Sequence, residues 1–299
     1  MAVSTISRSV IKKLLSVETP EGAGALVRRS IGTEGLRSLS PFLLLDHFHV
    51  AKGAGFPDHP HRGQATVTYM LEGASQHEDS EGHRGTIEQG GVQYMVAGKG
   101  IIHAEMPVHA PGLPEPRGLQ LWVDLPKQYK MMNPTYHELG PKEIPSAYPE
   151  GKAGPVKIKI ISGKSYGVES PVKAVGGCWY FHVIFNAKSA IFQEIPKGWT
   201  SFIYILKGSL KVGSDTVQQN QFYTLVLSAN ETEDGVAIEA TDDTTEFILV
   251  AGAPLDQTVV QYGPFVMTTR EEIQETLVDY QTGKNGFEKA RTWKSVIGN

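Results

Sequence analysis

Eight short runs of β-branched and aromatic residues set the strongest limit on what this chain can fold into. They are "ATVTYML" (65–71), "GLQLWVDL" (118–125), "VKIKIIS" (156–162), "CWYFHVIF" (178–185), "TSFIYIL" (200–206), "SLKVG" (209–213), "FYTLVLS" (222–228) and "EFILVAGA" (246–253). Such residues fit the pleated, half-buried surface of a strand. Several runs alternate in part, as antiparallel strands do. The 32 glycines and 18 prolines supply turns between them. The pattern predicts an all-β chain of sandwich or barrel type. Helix is predicted only near the end. Thr269 can cap "REEIQETLVDYQTG", which starts with acids and places Ile273, Leu277 and Tyr280 on one face. The stretch 285–299, "NGFEKARTWKSVIGN", predicts a further short helical turn.

With 299 residues the chain makes one large or two ordinary domains. The stretch 134–155 contains five prolines and few apolar residues, so it is expected to run over the surface as a linker. The expected division is 1–140, a linker at 141–155, and 156–299, the C-terminal helix included. The two halves carry a short repeat, "YMLEG" (69–73) and "YILKG" (204–208), which suggests two similar β domains in tandem. The net charge of −4 and the absence of a basic run argue against direct nucleic-acid binding. One cysteine, Cys178, excludes a disulfide framework and points to an intracellular chain. No apolar run approaches the ~18 residues of a membrane span. The N-terminal "MAVSTISRSVIKKLLSV" has three basic residues and no acid. Organellar targeting is the minor reading of it, and a first strand or frayed tail the main one. A monomer is expected.

Two histidine groups carry the chemistry. "FPDHPHRG" (56–63) places His59 and His61 at i and i+2, on one side of an extended backbone. Pro60 between them fits a strand start or a barrel rim better than a central strand. "GKGIIHAEMP" (98–107) repeats the spacing with His103 and Glu105, after a turn built on Gly98 and Gly100. Three imidazoles and a carboxylate suit Fe(II), Mn(II), Ni(II), Cu(II) or Zn(II). Four protein ligands leave two positions open on an octahedral ion, for an oxygen-donor substrate, dioxygen, or both. His47 and His49, beside Asp46, form another such pair that spacing does not exclude; the plain reading is an exposed strand end. The group His77, Glu78, Asp79, Glu81 and His83 is expected to sit in a solvated hairpin loop.

These motifs together resemble the pirin family of the cupin superfamily. "PFLLLDHFHV", "GFPDHPHRG", "AGKGIIHAEMP", "GLQLWVDLP", "IPKGWTSFIY", "GPFVMTTREEI" and "KNGFEKARTWKS" all look like pirin. The resemblance covers the chain from about residue 20 onward. It implies a bicupin of two antiparallel β-barrels with a C-terminal helix, and one iron in the N-terminal barrel. By position the ligands are His59, His61, His103 and Glu105, and the His47/His49 pair is left out. No "GIIHAE" equivalent follows "YILKG", so the second barrel is expected to lack metal. Ala65 stands near where many pirins carry a glutamate, which puts the polarity of the pocket wall in question.

The resemblance implies two activities. One is quercetin 2,3-dioxygenase chemistry, with a flavonol and dioxygen at an Fe(II) site and Glu105 as catalytic base. Phe56 and Met106 are then expected to line an apolar mouth. The other is a redox-sensing role as a transcription coregulator in nucleus and cytoplasm, through protein contacts; the loop 74–86 and the Arg28–Arg29 pair are its candidate surfaces. A different metal-dependent reaction, such as isomerisation, is compatible with the same fold.

Overall fold

The computed structural model describes residues 5–298. The first four residues of the N-terminal stretch weighed above as a targeting segment, and the final residue of the expected helical turn, lie outside these. Every run named above forms a strand. Two compact units result, each with a seven-stranded and a four-stranded antiparallel sheet. The expected all-β plan of two antiparallel units with a C-terminal helix holds; within each unit the two sheets stay open rather than closing into a hydrogen-bonded barrel. None of the described helices is long and apolar enough to cross a membrane.

In the first unit the large sheet runs, in spatial order, Thr135–Leu139, Val92–Val96, Gln64–Glu72, Arg117–Asp124, Phe42–His49, Ala25–Ile31 and Val17–Glu21. Its small sheet runs Phe56–His61, Ile101–Pro107, Ala74–Asp79 and Arg84–Glu88. The second unit repeats the plan with Val10–Leu15, Tyr223–Leu227, Thr200–Lys207, Thr245–Gly252, Cys178–Phe185, Val156–Ser162 and Ser146–Ala147. Its small sheet is Ala190–Glu194, Gly235–Ala240, Ser209–Val212 and Gln219–Asn220. The "YMLEG" and "YILKG" strands occupy the same third place in both large sheets. The glycine closing each motif is left-handed, with φ of 67° at Gly73 and 69° at Gly208. A Cβ there would press on the Pro114 or Thr244 carbonyl oxygen, at 2.6 and 2.3 Å. The repeat therefore keeps a glycine for a turn that no other residue makes cheaply.

The units are not contiguous stretches of chain, which corrects the expected boundaries. Val10–Leu15 pairs with Tyr223–Leu227 in the second unit, and the segment from Leu255 onward belongs to the first. Val10–Leu15 fills the edge position that Thr135–Leu139 fills in the first unit. That second strand was expected to be linker. It is a polar edge strand with a single neighbour, Val92–Val96, so it carries no apolar alternation to betray it.

The helix Arg270–Thr282 starts as its sequence dictates. The Thr269 hydroxyl accepts from the Glu272 N–H at 3.1 Å, and the Glu272 carboxylate accepts from the Thr269 N–H at 3.0 Å. Gly283 closes it in the left-handed conformation. Thr269→Ala is expected to lower stability by about 1 kcal/mol, read from the denaturant midpoint. Ile273 packs with Phe265, Met267, Phe287 and Ile102, and Leu277 and Tyr280 lean on the same cluster. Residues 285–298 form turns rather than the expected helical turn, with Phe287 buried among them.

The two interiors differ in kind. The second unit is filled by aliphatic and aromatic side chains such as Ile160, Phe181, Ile203, Leu249 and Phe247, all fully buried. Each such burial contributes roughly 1.5–3 kcal/mol by transfer out of water. In the first unit the described clusters are smaller, around Phe48 and Met70, around Met95 and Ile101, and around Phe265, Ile273 and Phe287. Between its sheets lies a cavity of about 1030 Å³.

Candidate metal centre

His59 and His61 lie on the edge strand Phe56–His61, and His103 and Glu105 on its neighbour Ile101–Pro107. His103 stands directly opposite His59 in the ladder. A bulge follows His103, so that Glu105 faces Phe56. Pro60 is tolerated because this strand is an edge of the small sheet. One ring nitrogen from each of His59, His61 and His103 lies within 4.8 Å of the other two. Ring centroids are 4.3 Å apart for His59–His103 and 5.0 Å for each of the other pairs. Among the described residues this is the one such convergence of metal-ligating side chains.

The ring tautomers follow from the partners. His59 Nδ1 donates to the Pro57 carbonyl at 2.8 Å, which leaves Nε2 with a lone pair. His61 Nδ1 lies 2.8 Å from the Gln64 side-chain amide, and its ring meets Trp122 edge-on at 5.1 Å. His103 Nε2 is buried and has no hydrogen-bond partner among the described residues, 4.0 Å from a Glu105 oxygen. An orphaned ring nitrogen in such company is costly unless something takes its lone pair. The donor set therefore fits a divalent transition ion held by His59, His61 and His103, with Glu105 as the carboxylate beside them.

Burial pushes His61 and His103 well below the ordinary imidazole range; the neighbouring histidines add to it, His59 for His61 and His59, His61 and His77 for His103. Both rings are thus neutral and ready to ligate at neutral pH. In the unfolded chain the same rings protonate near pH ~6.5. The unfolded state then binds more protons, so stability is present above that pH and is lost as pH falls below it. The metal-free chain is expected to be weaker at pH 5.5 than at 7.5 by about 1 kcal/mol per ring, measured by urea unfolding. His103→Gln should shrink that difference.

Glu105 is the carboxylate that joins the two sheets. Thr68 donates its hydroxyl to one oxygen at 2.8 Å and the Gln120 amide donates to the other at 3.0 Å. Both partners sit on the inner face of the large sheet, directly opposite each other. Phe56, His59, His61, Thr68, Glu105, Gln120 and Trp122 all line the cavity. Met106 does not, which corrects its expected place. It follows Glu105 on an extended strand and so faces the other way, where its sulfur crowds Gly55.

The rejected histidines separate by the same alternation. Asp46 and Phe48 point into the cavity, while His47 and His49 lie on the opposite face of Phe42–His49. His49 pairs there with Glu115 at 2.7 Å. Asp46 is buried, not an exposed strand end. It receives Arg29 through two bonds, at 2.8 and 2.7 Å. Of the 77–83 group, Glu81 and His83 lie in the exposed hairpin turn as expected, whereas His77 and Asp79 are buried strand residues, bonded to Glu138 and His83, each at 2.9 Å. Ala65 alternates with Thr66 and Thr68 and faces away from Glu105, so it leaves the cavity wall unaltered.

Sequence reasoning missed Thr68, Gln120, Trp122, Gln64 and Arg29. The signal was there. In "ATVTYML" and "GLQLWVDL" polar residues recur every second position within runs otherwise fit for a core. A strand buried on both faces but polar on one marks a site.

Comparison with known proteins agrees with this geometry. Residues 24–123 match Pirin, and residues 180–286 match the Pirin C-terminal cupin domain. Pirin of Homo sapiens is 46% identical over 298 residues, covering 98% of this chain and 99% of that protein. The chain belongs to the pirin family. A pirin-like protein of Solanum lycopersicum is 45% identical over 300 residues, 99% of this chain and 100% of its own length. Among solved structures, a quercetin 2,3-dioxygenase from Acinetobacter baumannii superposes with a TM-score of 0.84 at 28% identity, covering 94% of this pirin-family chain and 99% of that one.

Proposed function

We propose that this pirin-family chain is an Fe(II)-dependent dioxygenase that opens flavonols of the quercetin type. The observation that carries the reading is the convergence of the His59, His61 and His103 rings, with the hydrogen-bonded Glu105 carboxylate beside them, where His59, His61 and Glu105 line a cavity of about 1030 Å³. Its similarity to the A. baumannii enzyme supports the substrate class.

When bound, the ferrous ion supplies Lewis acidity and the one-electron chemistry that dioxygen requires. The chain's own residues do the rest. His59, His61 and His103 would hold that ion through their ring nitrogens. Glu105 is the base that takes the proton from the flavonol 3-hydroxyl. Thr68 and Gln120 keep its two oxygens in place and spare it a search among rotamers. Phe56, Phe48 and Trp122 give the cavity flat apolar walls that displace water from an aromatic substrate. One quercetin and one dioxygen yield a depside and carbon monoxide. The test pairs metal analysis with quercetin consumption in air and under nitrogen. Consumption should need both metal and oxygen; equal rates without oxygen would sink the reading.

A further inference from the structure

A single row of side chains crosses the inner face of the large sheet beneath the cavity. In ladder register it reads Arg29, Asp46, Gln120, Thr68, Gln93. Every member is polar. Gln120 and Thr68 hold Glu105, which accounts for their half of the row. Nothing at the metal end accounts for Arg29 and Asp46, which lie two strands further along.

The second unit supplies the control. Superposing "YILKG" on "YMLEG" places Ile203 on Thr68. The corresponding row there is Ile160, Phe181, Leu249, Ile203, Leu225, all fully buried. The same sheet thus builds the same row from apolar residues alone. The fold does not ask for a buried ion pair at this place, and removing one from an apolar site is often neutral or stabilising.

The pair has a defined free side. Asp46 takes Nε and Nη2 of Arg29, and Glu21 takes Nη2 again at 2.7 Å. Among the described residues nothing takes the N–H groups of Nη1. Arg29, Asp46 and Glu21 all line the cavity that holds His59 and Glu105. Two carboxylates flank one guanidinium, and Glu34 and Arg37 nearby add one charge of each sign. A carboxylate ligand would meet repulsion here. A neutral hydroxyl would not, because it both accepts from Nη1 and donates to a carboxylate.

We propose that Arg29, oriented by Asp46, recognises a hydroxyl remote from the reacting one, so that the cavity selects polyhydroxylated flavonols over bare 3-hydroxyflavone. The proposal rests on the flavonol reading of the cavity. Arg29 stands two strand spacings from Gln120 and three from Thr68, the two residues that hold Glu105, or about 10–15 Å. A flavonol ring hydroxyl lies at that order of distance from the 3-hydroxyl. Apolar rows on either side, Val27 with Phe48 and Leu44 with Trp122, flank the polar one and suit a flat ring system.

The experiment compares quercetin with 3-hydroxyflavone, which keeps the reacting hydroxyl and has none on its rings. Dissociation constants and KM are measured for metal-loaded wild type, Arg29→Lys and Arg29→Met/Asp46→Leu, with metal content as control. The double change removes both charges and imitates the apolar row of the second unit, so it keeps the test open where Arg29→Met alone strands Asp46. Wild type should favour quercetin by about 10–100-fold, the worth of a charge-assisted hydrogen bond. Both variants should lose most of that preference, in binding and KM. An unchanged preference in the folded double variant overturns the proposal. If wild type binds quercetin with an Arg29-dependent preference but does not oxidise it, the recognition stands and the dioxygenase reading falls. If it binds neither compound, both fall.

Discussion

Glu105→Gln is expected to lower quercetin turnover by at least about a hundredfold, the usual contribution of a positioned base. The change keeps shape and volume, and it leaves the ring nitrogens of His59, His61 and His103 in place. What it removes is the carboxylate beside the three histidine rings, the proposed acceptor of the hydroxyl proton. The new amide can keep its oxygen on the Gln120 NH₂ and turn its own NH₂ to the Thr68 hydroxyl, which still has the Gln120 oxygen at 3.1 Å to donate to. The effect should therefore fall on kcat more than on metal content, and single-turnover kinetics with metal analysis separates the two. Unchanged turnover in a metal-loaded Gln variant would place the base elsewhere.

Arg62→Met is expected to cost about 3–5 kcal/mol, the effect of removing one partner from a buried ion pair. Arg62 is almost fully buried directly after His61. Its guanidinium donates to the Lys99 carbonyl at 2.6 Å, the Thr276 hydroxyl at 3.1 Å, the Asp279 carboxylate at 2.9 Å and the Asn285 carbonyl at 2.6 Å. It also covers the Phe287 ring at 4.6 Å. Methionine fills part of the volume but satisfies none of these acceptors. The denaturant midpoint should fall steeply, and limited proteolysis should open first after residue 282, where the helix ends. A midpoint within 1 kcal/mol of wild type would mean that the C-terminal segment holds without the clamp.

Much of the site was legible because metal ligation is a short-range pattern. His59–His61 and His103–Glu105 each sit two residues apart on one strand, so sequence shows each pair and only the pairing of strands is missing. Glycine turns at 98 and 100 signalled that the second strand returns. Thr68, Gln120, Arg29 and Asp46 were not legible as a set, because a cross-strand row joins residues that lie far apart in sequence. Met106 was misplaced because nearness to a ligand in sequence does not survive the alternation of a strand. The linker was misjudged because an edge strand needs a partner more than it needs apolar residues.

The crossing of the two chain ends sets an order on synthesis. A ribosome delivers residues from the N-terminus, so His59, His61, His103 and Glu105 all emerge early. The residues that seat Arg62, from Thr276 to Phe287, emerge far later. Val10–Leu15 meanwhile waits, unpaired, for Tyr223–Leu227. Neither unit can finish on a nascent chain that stops at residue 143, and the chain cannot be cut there into two self-sufficient proteins. The first unit therefore closes only once residues more than two hundred positions apart in sequence have met.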